Sequence, residues 1–199
     1  MKKLSLVLIS LIFLLKIAYA STYSSDPKMF VSELVTDSIN KLSDKNLSEE
    51  EKATFIEIVA AENVDINALG LYTLGELRKT TDVETLEKYQ LVFKKYFLKS
   101  LTSRLTDYSS NKFEIIDAEK KSSNYTIVKS KIIASNNKPE IKIDWRIYTK
   151  DPNKPLIRDL IVEGLSLART QKEEFASILN SNNNDINILI SKLEEFIKN

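Results

Sequence analysis

Apolar residues recur at two different periods along this chain, and the period changes once. Phe30, Val31, Leu34, Val35, Ile39 and Leu42 follow helical spacing, introduced by Asp26-Pro27, an N-cap and first-turn proline pair. Ser48 with Glu51 has the capping-box pattern and opens a short second helix, whose expected apolar face is Phe55, Ile58 and Val59. Ile66–Arg78 holds Gly70 and Gly75, two of the three glycines in the chain. Glycine costs ~1 kcal/mol in a helix interior relative to alanine, so the pair predicts broken short helices or close contact with something bulky. Thr81 with Glu84 predicts the start of the longest helix, Asp82–Leu105, whose stripe Leu86, Tyr89, Phe93, Phe97, Leu101 and Leu105 is broad and aromatic. That helix is expected to lie over a sheet.

After Ser109-Ser110-Asn111 the spacing becomes alternating. Lys112–Lys120, Tyr125–Ser135, Glu140–Thr149 and Leu156–Val162 are four strand candidates joined by short polar links, which predicts an antiparallel meander. The third is the cleanest, with Ile141, Ile143, Trp145 and Ile147 on one face and Lys142, Asp144, Arg146 and Tyr148 on the other. A corner at Glu163-Gly164 follows the last strand, and Thr170 with Glu173 predicts a helix to Leu179. An Asn-rich turn, Ser181–Asp185, leads to a final helix, Ile186–Ile197. The fold class is therefore α+β: N-terminal helices and one long central helix packed on a twisted four-stranded antiparallel sheet, then two C-terminal helices.

The first 20 residues break this globular pattern. Lys2 and Lys3, the apolar run Leu4–Leu15 and Ala18-Tyr19-Ala20 have the form of a secretory signal peptide, and the run is shorter than the ~20 residues needed to span a bilayer. The expected organisation is a cleaved signal over residues 1–20 and one domain over 21–199. Without Lys2, Lys3 and Lys16 the chain carries 26 basic against 28 acidic side chains, a net of −2, which gives no basic surface for nucleic acid.

Composition then narrows the chemistry. The chain has no Cys and no His. Disulfide staples, histidine-based general bases, Ser-His-Asp and Cys-His nucleophile systems and ordinary zinc sites are thereby closed. Asp117, Asp144, Asp159 and Glu163 are the remaining acid–base candidates, as in a small α+β isomerase-like enzyme, although Asp144 between Lys142 and Arg146 suits solvated ion pairing. Arg78, Lys79, Arg104, Arg146 and Arg158 can reach a phosphate only if the fold gathers them. Asn46-Leu47-Ser48 and Asn124-Tyr125-Thr126 match the glycosylation acceptor pattern, which carries meaning only on a eukaryotic secretory route. A broad aromatic helix above an Ile-Ile-Trp-Ile strand face can close as a solid core or leave a slot, and the same side chains line both.

The stretch Asp159–Phe175, DLIVEGLSLARTQKEEF, carries the most specific signal. Val162-Glu163-Gly164-Leu165-Ser166 after a strand, with Phe175 beyond it, resembles the MlaC (toluene-tolerance) family. Leu74-Gly75 with Arg78 and Thr80-Thr81, then Phe93 through Leu101 to Tyr108, then Ile141–Tyr148, follow that family's order. Lys154-Pro155-Leu156 departs from it where the family has a Trp, and Gln171–Phe175 keeps only a basic residue and the Phe of its Tyr-Arg-Ser-Gln-Phe motif, which leaves Lys172 a weak match for a docking residue.

The resemblance implies a periplasmic, non-enzymatic phospholipid carrier without cofactor or metal. It would hold acyl chains in an apolar cavity and exchange lipid with an inner-membrane ABC-type lipid transporter complex and an outer-membrane lipoprotein complex, so maintaining outer-membrane lipid asymmetry. The residues expected to line the acyl slot are Phe93, Phe97, Leu101, Ile141, Ile143, Trp145, Ile147, Leu160, Val162 and Leu165. Another apolar ligand (hopanoid, fatty acid or sterol) and a peptide-binding scaffold are the alternatives.

Overall fold

A computed structural model describes residues 23–105, 112–133 and 139–199, apart from the side chain of Arg104. The expected signal peptide over 1–20, Tyr108, Ser109–Asn111 and most of the link before the third strand lie outside these residues.

The N-terminal helices begin where local chemistry says they should. In α1 (Pro27–Ser43) the Asp26 carboxylate accepts the backbone N–H groups of Lys28 and Met29, at 3.0 and 2.9 Å. In α2 (Glu49–Asn63) the Ser48 hydroxyl accepts from the Glu51 N–H, while the Glu51 carboxylate accepts from the Ser48 N–H at 2.8 Å. The Ser48 N–H and, at 2.9 Å, the Ser48 hydroxyl donate to the Glu51 carboxylate and hold it below its ordinary pKa. The face of α2 differs from the expected one: Ile56, Val59, Ala60 and Asn63 point inward, whereas Ile58 is exposed. Phe55-Ile56 and Ile58-Val59 suit more than one helical face, and the neighbours on either side of α2 choose between them.

Both expected roles of glycine are realised. Gly75, at φ +58°, ends α3 (Ile66–Thr73) and starts a 3-10 segment, Gly75–Lys79. Gly70 leaves room for an aromatic ring: a Cβ there would stand 2.9 Å from Phe93 Cδ1. The long helix α4 (Val83–Leu105) is capped by Asp82, whose carboxylate accepts the Thr85 N–H at 2.9 Å. Thr81, the expected cap, instead donates its hydroxyl to the Leu77 carbonyl.

The sheet is a meander in sequence order: β1 (Phe113–Ser122), β2 (Tyr125–Ile132), β3 (Ile141–Tyr148), β4 (Leu156–Val162) and a fifth short strand, β5 (Leu165–Ser166), all antiparallel. The sequence pattern predicts four strands; β5 is only two residues long and carries no alternation to detect. Glu163 (φ +49°) and Gly164 (φ +83°) form the tight turn between β4 and β5. Ser166 then caps α5 (Leu167–Asn180) by accepting the Arg169 N–H, so this helix starts three residues before Thr170, whose hydroxyl bonds back to the Ser166 carbonyl. Asn183 and Asn184, both in the left-handed region, turn the chain into α6 (Ile186–Lys198), capped by Asp185.

Two apolar clusters result. The helical one gathers Leu74, Tyr89, Val92, Phe93, Phe175, Leu179, Leu189 and Ile190 from α3 to α6. The sheet cluster gathers Phe30, Val31 and Leu34 of α1 and Val59 of α2 over Val128, Trp145, Ile147 and Ile157. Val64 packs against both. This refines the expected layering: the aromatic stripe of α4 faces α6, α5 and α3, with α2 alongside, and the sheet is roofed by α1 and α2. At the junction Val64 forms a parallel bridge with Ile157, and the Asp65 N–H donates to the Ile157 carbonyl at 2.9 Å. Among the described residues no helix is long and apolar enough to cross a membrane.

Candidate functional site

Strand register lines up the inner face of the sheet in rows. Ala118, Val128, Trp145 and Leu160 form one row across β1 to β4. Ile115, Ser130, Ile143 and Val162 form the next, and Leu165 extends it onto β5. Phe113, Ile132 and Ile141 lie beyond these, at the end of the sheet where β1 begins. Pleating sends paired residues to one side, so each row presents its side chains together.

Cover over these rows is uneven. Val128, Trp145, Ile147 and Ile157 are buried, Trp145 at 9 % exposure. Phe113, Ile115, Ile132, Ile141, Ile143, Leu160 and Val162 are only partly covered, and Leu165 is 69 % exposed. The α4 stripe changes in the same way: Tyr89, Val92 and Phe93 are buried, but every residue from Tyr96 to Leu101 is only partly covered.

Polar groups anchor the closed part. The Trp145 indole N–H donates to Ser130 Oγ at 2.9 Å, and that hydroxyl donates to the Ile143 carbonyl at 2.8 Å. Phe113 meets the indole edge-on at 6.3 Å. A buried hydroxyl on an apolar face is thus fully used, and it fixes the indole where the covered rows give way to the open ones.

The ten residues expected to line a slot divide between the clusters. Ile143, Trp145, Ile147 and Leu160 belong to the sheet cluster, and Ile141, Val162 and Leu165 share its inner face. Phe93 and Phe97 belong to the helical cluster, stacked at 6.2 Å, and Leu101 follows one turn later on α4. Phe93 fills the Gly70 notch and meets Phe175 edge-on at 6.2 Å. Phe113 and Ile115, which alternation along β1 could have added to the expected face, also pack against the sheet cluster, as does Phe55 from α2.

The acidic candidates are otherwise engaged. Asp159 is buried on the outer face, where its carboxylate accepts the Ser166 hydroxyl at 2.6 Å and the Ala168 N–H at 3.0 Å and lies 3.4 Å from Arg146 Nη1. It latches the β4–β5 corner to the start of α5. Glu163 accepts the Lys142 N–H. The basic residues are not gathered: Arg78 bonds the Gly75 carbonyl, Lys79 pairs with Glu76, and Arg158 pairs with Asp65 at 2.8 Å and lies over the Tyr148 ring. Arg104 lies outside the described side chains. Desolvation pushes the Tyr125 phenol above its ordinary pKa on that outer face.

A cleft of about 400 Å³ lies away from the sheet, between the 3-10 segment and α5, with Leu74 and Leu179 among its lining residues and Glu76 and Lys172 among its polar ones. Among the described residues no acidic group of three or more is placed to hold a metal ion.

What the fold defines is an α+β protein whose apolar sheet face is roofed at one end and partly open at the other. The chain belongs to the MlaC protein family, whose pattern matches residues 31–195, from α1 into α6. Among solved structures, it is similar to a phospholipid-binding protein from Ralstonia solanacearum in complex with a phospholipid, at a TM-score of 0.69 and 19 % identity, over 84 % of this chain and 94 % of that one. At that identity the likeness speaks for the fold. No curated protein matches.

Proposed function

We propose that this protein is a periplasmic phospholipid carrier. It is exported behind residues 1–20 and holds acyl chains against the inner face of its sheet. The observation that carries the reading is the change in cover along that face, from buried Trp145 and Ile147 to partly open Ile141, Ile143, Leu160 and Val162. Family membership and the phospholipid in the Ralstonia neighbour support the same cargo.

The physical requirement is steep. Each methylene left in water costs ~0.8 kcal/mol, so two chains of about 30 methylenes in all cost on the order of 20 kcal/mol. A carrier has to shield nearly all of that hydrocarbon, while the headgroup stays wet. The open rows of the sheet supply apolar contact for the chains. Phe93 serves the helical core. Holding a lipid in this way needs no metal, no cofactor and no acid–base group, and Asp159, the buried acid, is committed to the corner. In the cell the carrier would exchange lipid between an inner-membrane ABC-type transporter complex and an outer-membrane lipoprotein complex, as the family implies, and so maintain outer-membrane lipid asymmetry.

Mass spectrometry of a solvent extract from the purified protein is the direct test. Phospholipid in the extract supports the reading; a hopanoid, fatty acid or sterol alone changes the cargo class, and a lipid-free extract overturns it. Trp145, the only tryptophan, reports position. Phospholipid brominated along its chains is expected to quench its fluorescence on loading.

A further inference from the structure

Resting on the carrier reading, one side chain on the same face bears on which phospholipids fit it. The Trp145 indole does not stay within its own row. Its N–H reaches Ser130 on β2, which pairs with Ile143 one row nearer the open end, and its ring meets Phe113 of β1 edge-on at 6.3 Å. The indole thus leans from β3 over β2 and meets a ring from β1, so three strands share one transverse bar. Behind the bar the face is closed: Val128 and Ile147 are fully buried, Ile157 is buried, and Val64 is bridged to Ile157. In front of it Ile115, Ile132, Ile141, Ile143 and Val162 are only partly covered.

We propose that Trp145 is the stop against which the methyl end of an acyl chain rests, so that this carrier selects phospholipids by chain length. Ser130 is the positioning residue of that stop. Its hydroxyl is 1 % exposed and used twice, accepting from the indole and donating to the Ile143 carbonyl. A chain that pushed the ring aside would leave the indole N–H without a partner in apolar surroundings. That costs more than burying one further methylene returns. The stretch of sheet in front of the stop then fixes the length. Trp145 and Ile141 are four residues apart on β3, about 13 Å at the rise of an antiparallel strand. One leaflet of a bilayer holds about 15 Å of hydrocarbon, half of the core thickness. A common membrane chain therefore fills the stretch with its ester end at the mouth, and a longer one leaves its surplus in water. Each methylene so exposed weakens binding about fourfold.

Two measurements on the full chain test this. Phosphatidylcholine brominated near the chain terminus is expected to quench Trp145 more strongly than the same lipid brominated near the ester; equal quenching, or the reverse order, overturns the proposal. The second measurement loads the protein from an equimolar mixture of dilauroyl, dimyristoyl, dipalmitoyl, distearoyl and diarachidoyl phosphatidylcholine and reads the solvent extract by mass spectrometry. Uptake is expected to fall about tenfold or more between successive members once the stretch is full. Trp145→Leu removes the stop and Ser130→Ala frees it, and both are expected to move that fall toward longer chains. Leu189→Ala, which loosens the helical cluster instead, is expected to leave it in place. Uptake indifferent to chain length, or a fall that stays in place in both Trp145→Leu and Ser130→Ala, overturns the proposal while the carrier reading stands. A wild-type protein that takes up no phospholipid at all overturns the carrier reading itself.

Discussion

The two apolar clusters are built from similar side chains and end differently. In the helical cluster the inner rings are seated: Phe93 fills the gap above Gly70, stacks on Phe97 and meets Phe175, and the buried Tyr89 hydroxyl bonds Thr73 at 2.7 Å. Burial pushes that phenol well above its ordinary pKa. In the sheet cluster α1 and α2 cover Val128, Trp145 and Ile147, but among the described residues the rows toward Ile141 and Val162 have no equal roof. The contrast teaches that apolar composition does not by itself make a closed core. Closure needs a matched partner along the whole length of a face, and an unmatched length is apolar surface available to something else.

Substitutions can sharpen or break this contrast. The largest loss is expected from Phe93→Ala, which empties a filled site: about 3–5 kcal/mol by urea denaturation. A cost near zero would mean that the helical cluster is not the closed one. Asp159→Asn is expected to follow, at about 2–3 kcal/mol, because a buried carboxylate that accepts from Ser166 and Ala168 and faces Arg146 loses its charge. Ile143→Ala, on the partly open row, should cost less, about 1–2 kcal/mol, but reduce the lipid recovered in a solvent extract. The opposite ranking of Ile143 and Phe93 would reverse the comparison.

The smallest effect belongs to Asp82→Ala at the start of α4. The Thr85 N–H holds the Asp82 carboxyl below its ordinary pKa. Its contribution is therefore complete above the unfolded carboxylate pKa and is lost as pH falls through the depressed folded value. The gap in urea midpoint between wild type and this variant is expected near neutrality and should close in acid. A gap that widened in acid would refute this role.

Much of the architecture was legible because its causes are local. The bounds of β4 are those that alternation predicts, and Asp26-Pro27 and Ser48 with Glu51 start their helices by contacts within one turn. The misread starts had competitors nearby. Asp82 sits beside Thr81 and is the stronger cap, and Ser166 gains its place from Asp159, a partner seven residues back on β4. The seating of α4 was not legible, because a stripe says that a face is buried and does not say against what. The inner face of the sheet was legible to a similar depth. Alternation put Ile141, Ile143, Leu160 and Val162 on one face, but their partial exposure depends on where α1 and α2 stop, which no period in the sequence encodes.

One edge of the sheet has a consequence for solubility. β1 is a ten-residue edge strand, the kind that invites a second copy to add its own strand. Its register shifts between Ile115 and Asp117 and between Lys120 and Ser122, and it bears Glu114, Asp117, Glu119, Lys120 and Lys121. Kinks and exposed charges of both signs make that row of backbone groups a poor template for fibril-like stacking. A chain that must keep greasy surface uncovered elsewhere thus guards the side from which ordered aggregation would otherwise grow.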